Sequence, residues 1–282
     1  MFKINESPRD AMQALSIMIP TEKKTHYVKG LLNVGFKIVD IGSFVSPHLI
    51  PQMSDTPEVL KKITEKYDSE ISVLAGNSKY AEQISEYDIV DYIGYPFAIS
   101  ETFQKKNLNS NLENAINTVE NIVNICIKKN KKPNISISTA FGNPYDDDWG
   151  IDILMEWIEL FYDMGLRYFP LEDTTGSGSP HLIGLTFKNL INEYPDCEFN
   201  LHLHSTQNEM IEKVESAYLS GCRIMDTVIN GYGGCPMTGF ELIANTDTLN
   251  LIDWLDSKHI EHEIKKGFLD DSVKKAFETF PK

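Results

Sequence analysis

Short apolar and β-branched runs recur along this chain, and a longer segment with helical spacing separates each from the next. The runs cover residues 2–5, 37–41, 71–75, 89–97, 134–140, 167–171, 199–204 and 224–229. Runs of that length and composition read as buried strands. Between them lie THYVKGLLNVG, TPEVLKKITEKY, SNLENAINTVENIVNICIKK, DILMEWIELFYDMG, LIGLTFKNLINEYP and NEMIEKVESAYLSG, in which apolar residues return every three or four positions. Gly35, Gly165 and Gly221 stand where helix C-caps are expected. Strict alternation of strand and helix demands crossovers, hence parallel strands, and eight such units close a (β/α)8 barrel. An open doubly wound sheet is the alternative. Residues 245–282 show charged amphipathic segments and no further strand, so helices that cap the barrel are expected there. No Gly/Ser or Pro-rich linker interrupts the pattern, and residues 1–282 are expected to form one catalytic barrel domain.

Composition narrows the picture. Of 282 residues, 41% are hydrophobic and 24% charged, which supports a large core and excludes disordered or fibrous classes. A formal net charge of −15 with no basic patch disfavours nucleic acid and anionic membrane surfaces as partners. The start of the chain has no apolar leader, and no run of eighteen apolar residues occurs, so a cytoplasmic protein is expected. The four cysteines form no CxxC pair, in keeping with reduced thiols.

Active sites of such barrels lie at the C-terminal ends of the strands, and the polar motifs collect there: SPRDAMQ, DIGSFVSPH, LEDTTGSG, LHLHST and NGYGGCPM. His202 and His204, two apart on a strand, project to one face and could share a metal ion or flank a substrate. The alternative is a pair of core histidines satisfied by hydrogen bonds. A third ligand must come from another strand, and Asp10, at the end of the first, is suitably placed, unless it serves as a helix N-cap or a partner for Arg9. Imidazoles with a carboxylate suit Mg, Mn or Co better than a thiolate-rich structural zinc site. Arg9 would place a permanent charge beside that metal, where developing enolate or carboxylate charge needs it; otherwise it makes an ordinary salt bridge. Cys235 follows Gly231, Gly233 and Gly234, so it is either a reactive side chain on a loop that closes over substrate or a cysteine in an ordinary turn.

SPRDAMQ, VDIGSFVSPHLIPQMSDTPEVL, SETFQKKNLN, LEDTTGSGSP, HLHST and GYGGCPM followed by ELIAN, in that order over residues 4–251, resemble 3-hydroxy-3-methylglutaryl-CoA lyases, within a wider group of metal-dependent lyases and Claisen-type synthases. The resemblance implies divalent-metal ligation by Asp10, His202, His204 and Asn245, with Mg or Mn as the metal. It implies enolate stabilisation by Arg9, a loop thiol at Cys235, and an acyl pocket lined by Gln13, Asp40, Ser43, Asp173 and Thr174. The implied reaction is retro-Claisen cleavage of 3-hydroxy-3-methylglutaryl-CoA, or of a related 3-hydroxyacyl-CoA, by a homodimer. Lys105 and Lys106 are candidates for the phosphates of CoA. The chain departs from the family at Ala11 and Ala244, where Gly is usual, at Asp40, where Glu is common, and at Ser205, where Asp is common. A Claisen synthase condensing acetyl-CoA with a 2-oxo acid is the second reading, disfavoured by ELIAN at the position of an Arg-x-Gly-Asn run and by the short C-terminal region. A catalytically dead scaffold barrel would have lost at least one of Arg9, Asp10, His202 or His204.

Overall fold

The computed structural model describes residues 1–65, 67–233 and 244–280. Among these, β1 (Lys3–Glu6), β2 (Ile38–Phe44), β3 (Glu70–Ala75), β4 (Tyr92–Ala98), β5 (Lys132–Ser138), β6 (Tyr168–Asp173), β7 (Glu198–Leu203) and β8 (Ile224–Thr227) pair in chain order, all parallel, and β8 returns to β1. This is the (β/α)8 barrel that the alternation predicts. Around it run α1 (Pro8–Gln13), α2 (Thr21–Leu31), α3 (Thr56–Lys62), α4 (Ser78–Ser85), α5 (Glu101–Leu108), α6 (Leu112–Lys129), α7 (Ile151–Asp163), α8 (Pro180–Glu193) and α9 (Gln207–Leu219), followed by α10 (Thr248–Ser257) and α11 (Lys266–Thr279).

Local chemistry sets the boundaries. In α6 the Asn111 side chain accepts the Asn114 N–H, the buried positions Ala115, Val119, Ile122, Val123 and Cys126 keep helical spacing, and Asn130 ends the helix in a left-handed conformation. Three of the strands whose bounds differ from the sequence expectation do so for identifiable reasons. β4 starts at Tyr92 and not at 89, because Val90 N–H closes a turn onto Tyr87. β5 stops at Ser138 because Thr139 takes a φ of 58°. β8 stops at Thr227, short of Asn230 with its φ of 63°.

The barrel interior is built in layers from alternate strands. At the N-terminal end, odd strands contribute Lys3, Glu70, Lys132 and Glu198, joined by ion pairs. Next come Ile38, Tyr92, Tyr168 and Ile224 from the even strands, packed as one apolar cluster. Above them the odd strands place Asn5, Ser72, Asn134 and Asn200, paired with Asp226, Asp40, Gly94 and Pro170 of the even strands. The interior therefore becomes polar toward the C-terminal mouth. Gly233, just after β8, has a φ of +90° and passes so close to α1 that a Cβ would lie 2.8 Å from the Asp10 carbonyl oxygen. The chain leaving β8 is thus pressed against the segment that carries Asp10.

Candidate active site

A cavity of about 980 Å³ opens at the C-terminal mouth, lined at its base by Arg9, Asp10, Asp40, Glu172, His202 and His204. Asp10 lies just beyond the end of β1, in the first turn of α1. Its carboxylate is held on both oxygens. Oδ1 accepts from Gln13 Nε2 at 2.7 Å and Arg9 Nη1 at 3.1 Å, and Oδ2 accepts from Asn245 Nδ2 at 2.7 Å. Burial alone would raise its pKa, but Arg9, His202, His204 and the Asn245 hydrogen bond outweigh burial and hold it below the ordinary range.

Strand alternation sends His202 and His204 to the same face, with Nε2 atoms 3.2 Å apart. Each ring is oriented from behind: His202 Nδ1 lies 3.0 Å from Asp226 Oδ2, and His204 Nδ1 lies 2.9 Å from the Thr174 carbonyl oxygen. With both Nδ1 atoms donating, both Nε2 lone pairs point into the space between them. Donor atoms of Asp10, His202 and His204 lie within 4.8 Å of one another. Two facing lone pairs beside an ionised carboxylate are mutually repulsive unless a proton or a cation lies among them, so this donor set fits a divalent cation. Without a cation a proton does this: burial lowers the His202 pKa, but the hydrogen bond and charge of Asp226 more than offset it and raise it to about 9, so at neutral pH His202 Nε2 donates to His204 Nε2, and a bound cation would displace that proton. Burial and the neighbouring His202 push His204 down.

Asn245 reaches the site through a β-bridge with His204, supported by the Ser205 N–H donating to the Ala244 carbonyl at 3.0 Å. Arg9 donates Nε to Asp40 Oδ2 at 2.9 Å, and Nη2 lies 2.7 Å from the same oxygen. Burial would depress the Arg9 pKa, but Asp40 and Asp10 outweigh it and keep the guanidinium firmly charged. Burial pushes the Asp40 carboxyl up against the pull of Arg9, and Asp40 Oδ1 is buried with no partner.

Among the residues that the resemblance gives to the acyl pocket, Gln13 and Asp40 line the cavity. Ser43, Asp173 and Thr174 do not. Ser43 pairs with Leu74 but is covered, its hydroxyl buried and unpartnered. Asp173 follows Glu172 on β6 and therefore faces away from the axis, toward Lys213 and the Gly178 N–H. Thr174 contributes through its carbonyl oxygen, behind His204. Lys106 lines the cavity mouth, its Nζ 4.2 Å from the Tyr145 ring centroid, while Lys105 is absent from the lining. Cys235 lies outside the described residues.

Sequence reading missed two carboxylates. Glu172 shares the inward face of β6 with Tyr168 and Pro170 and accepts from the Ser138 hydroxyl at 2.5 Å. Asp226 accepts from Asn5, Asn200 and His202. The signal for Asp226 was present, since a lone acid inside the run IMDTVI must find partners once buried.

The sequence matches the HMGL-like family model over residues 3–268. Hydroxymethylglutaryl-CoA lyase YngG of Bacillus subtilis is 27% identical over 258 residues, covering 92% of this chain and 86% of that protein. The human cytoplasmic 3-hydroxy-3-methylglutaryl-CoA lyase is 28% identical over 233 residues, 83% of this chain and 63% of its own length. Among solved structures, an HMG-CoA lyase from Acinetobacter baumannii in complex with coenzyme A and 3-methylmalate aligns with a TM-score of 0.91 at 26% identity, covering 98% of this chain and 90% of that one.

Proposed function

The chain belongs to the HMGL-like family, and from that premise we propose that it is a divalent-metal-dependent carbon–carbon lyase that cleaves 3-hydroxy-3-methylglutaryl-CoA to acetyl-CoA and acetoacetate. The observation that carries this reading is the convergence of Asp10, His202 and His204 beside Arg9 at the base of one cavity. The relatives named above as lyases of this substrate supply its identity. Asp10, His202, His204 and Asn245 would hold the cation, taken as Mg or Mn because the donors are oxygen and imidazole nitrogen without thiolate. When bound, the cation polarises substrate oxygens as a Lewis acid.

In this reaction the C3 hydroxyl gives up its proton, and the C2–C3 bond breaks with its electron pair passing into the thioester as an enolate. C3 becomes the ketone of acetoacetate, and C2 takes a proton to give acetyl-CoA. Arg9, fixed by Asp40 and Asp10 before substrate arrives, presents a charged planar group to the enolate oxygen without reorganising. Asp40, which lines the cavity beside Arg9, is assigned the proton of the hydroxyl. Cys235 is assigned the proton delivered to C2, and Lys106 the phosphates of CoA at the mouth. The same reading takes the assembly as a homodimer and the compartment as the cytoplasm; among the described residues no helix is long and apolar enough to cross a membrane.

Incubating the purified protein and Mg with 3-hydroxy-3-methylglutaryl-CoA tests the proposal: equimolar acetyl-CoA and acetoacetate are expected. Free CoA released from acetyl-CoA and a 2-oxo acid, with no cleavage of the hydroxyacyl thioester, would establish a synthase instead.

A further inference from the structure

Behind His204, on the side away from the cavity, lies a buried ion pair that the reaction does not use. Lys213, on α9, has a side chain only 3% exposed, and its Nζ stands 3.3 Å from Asp173 Oδ2 and 2.9 Å from the Gly176 carbonyl oxygen. Glu209 Oε2 lies farther off, at 4.0 Å. Asp173, at the end of β6, has a side chain 1% exposed, and its Oδ1 accepts the Gly178 N–H at 3.0 Å. The Gly176 N–H donates to the Asp173 carbonyl at 3.0 Å. The turn after β6 is therefore closed on itself by Asp173 and fastened to α9 by Lys213. It is also tightly packed, since a Cβ on Gly178 would come within 3.0 Å of Phe141 Cβ and 3.1 Å of Asp173 Oδ2.

This turn carries the Thr174 carbonyl that accepts His204 Nδ1–H at 2.9 Å. That hydrogen bond makes Nδ1 the protonated nitrogen and leaves Nε2 as the lone pair facing Asp10 and His202. A buried lysine–carboxylate pair is poor evidence for stability, because desolvation cancels most of its attraction; its value lies in fixing one arrangement. Here the arrangement fixed is the position of one carbonyl oxygen.

We propose that Lys213 is a positioning residue of the metal site: through Asp173 and Gly176 it holds the Thr174 carbonyl where it selects the Nδ1–H tautomer of His204. This deepens the metal-site reading and rests on it. The chain Lys213 to turn to Thr174 to His204 starts and ends on the same β7–α9 unit, with the β6 turn gripped between its two ends. Thr139 N–H also donates to Thr174 Oγ1 at 2.8 Å, a contact to the side chain and not to the carbonyl. Lys213 and Asp173 set the backbone.

The test uses Lys213→Met, which keeps the apolar stem, and the double variant Lys213→Met/Asp173→Asn, which removes both charges. Two readings are taken on the folded full-length chain: the 15N chemical shifts of the His204 ring without metal, and the dissociation constant for Mn2+. In the wild-type chain the ring is expected as the Nδ1–H tautomer. In Lys213→Met the uncompensated Asp173 carboxylate should loosen the turn, give a tautomer mixture and weaken Mn2+ binding about 10–100-fold. The double variant, in which no buried charge is left unpaired, should fold as well as the wild type yet still show the tautomer mixture and the weakened Mn2+ binding, because the ammonium that grips the Gly176 carbonyl is gone. If Lys213→Met does not fold, the double variant, which leaves no buried charge unpaired, carries the same test. A wild-type tautomer and Mn2+ affinity within twofold in any folded variant lacking the Lys213 ammonium would overturn the proposal, leaving the pair as a fastening between α9 and the turn. A wild-type chain that binds no Mn2+ would overturn the metal-site reading, while the tautomer measurement still decides the role of Lys213.

Discussion

The two mouths of the barrel are both lined with charge, yet they do opposite things with it. At the N-terminal mouth Lys3 and Lys37 meet Glu198, and Lys132 meets Glu70; these side chains are partly open to water, apart from Lys37 at 15% exposed, and the Lys37 and Lys132 ammonium groups lie 4.9 and 5.0 Å from the ring centroids of Tyr168 and Tyr92. Every charge there has a partner of opposite sign. At the C-terminal mouth, among the described residues, four carboxylates, Asp10, Asp40, Glu172 and Asp226, face only Arg9 and the His202 imidazole with its raised pKa, and Asp10 and Arg9 are nearly closed off from solvent. Exposed pairs are worth little and ask for nothing further. Buried carboxylates outnumbering their cations demand another positive charge. What marks the site is therefore unmatched charge under burial, and polarity alone would not distinguish the two ends.

The largest expected effect is at Arg9. Arg9→Lys keeps the charge and loses the planar fork that contacts Asp40 and Asp10 together, so turnover should fall by about 10² or more with a smaller change in KM. Steady-state kinetics check this, and an unchanged turnover with a raised KM would make Arg9 a binding residue only.

Glu6 sharpens the charge argument by contrast. Fully buried, it is raised by desolvation to a pKa of about 8 despite accepting from the Ile229 N–H and the hydroxyls of Thr227 and Thr248. The single Thr227 hydroxyl proton also has the Asn5 carbonyl within 2.9 Å, an arrangement that a protonated Glu6 donating to Thr227 satisfies completely. A folded pKa above the unfolded one means that the folded chain keeps a proton which the unfolded chain releases. The resulting stabilisation is complete below about pH 4.5 and is lost as pH rises through about 8. Between pH 6 and 9 the loss should be on the order of 2–3 kcal/mol, and Glu6→Gln, which mimics the neutral acid, should flatten it in denaturant titrations. An equal pH slope in the variant would put Glu6 among the ionised groups of the mouth.

Asp226→Asn removes the carboxylate behind His202 but keeps a polar side chain for Asn5 and Asn200. Metal affinity should drop 10–100-fold with little loss of fold, as read by calorimetric titration with Mn2+. The smallest effect belongs to the other mouth, where Glu198→Gln should change stability by less than about 1 kcal/mol and leave turnover unaltered. A large loss of activity there would undo the distinction between the two ends.

The fold was legible because strand and helix periods alternate cleanly, and the histidine pair because a spacing of two is unambiguous on a strand. The misreadings have local causes. Asp173 and Glu172 are adjacent, so a motif match cannot tell which one faces the axis, and only the register of β6 against β7 settles it. The helix that carries Asp10, opened by Pro8, is too short to show a period. Asp226 and Lys213 have partners distant in sequence, Asn5 and Asp173 among them, and no local pattern announces such pairings.

We propose that the unmatched charge of the C-terminal mouth is completed by one divalent cation on Asp10, His202 and His204. Crystals of the wild-type chain equilibrated with Mn2+, examined by anomalous scattering at the manganese edge, test it most directly. One strong peak bonded to those three side chains and to Asn245 is expected. A fully occupied manganese elsewhere, with His202 and His204 still facing each other at hydrogen-bond distance, would contradict it.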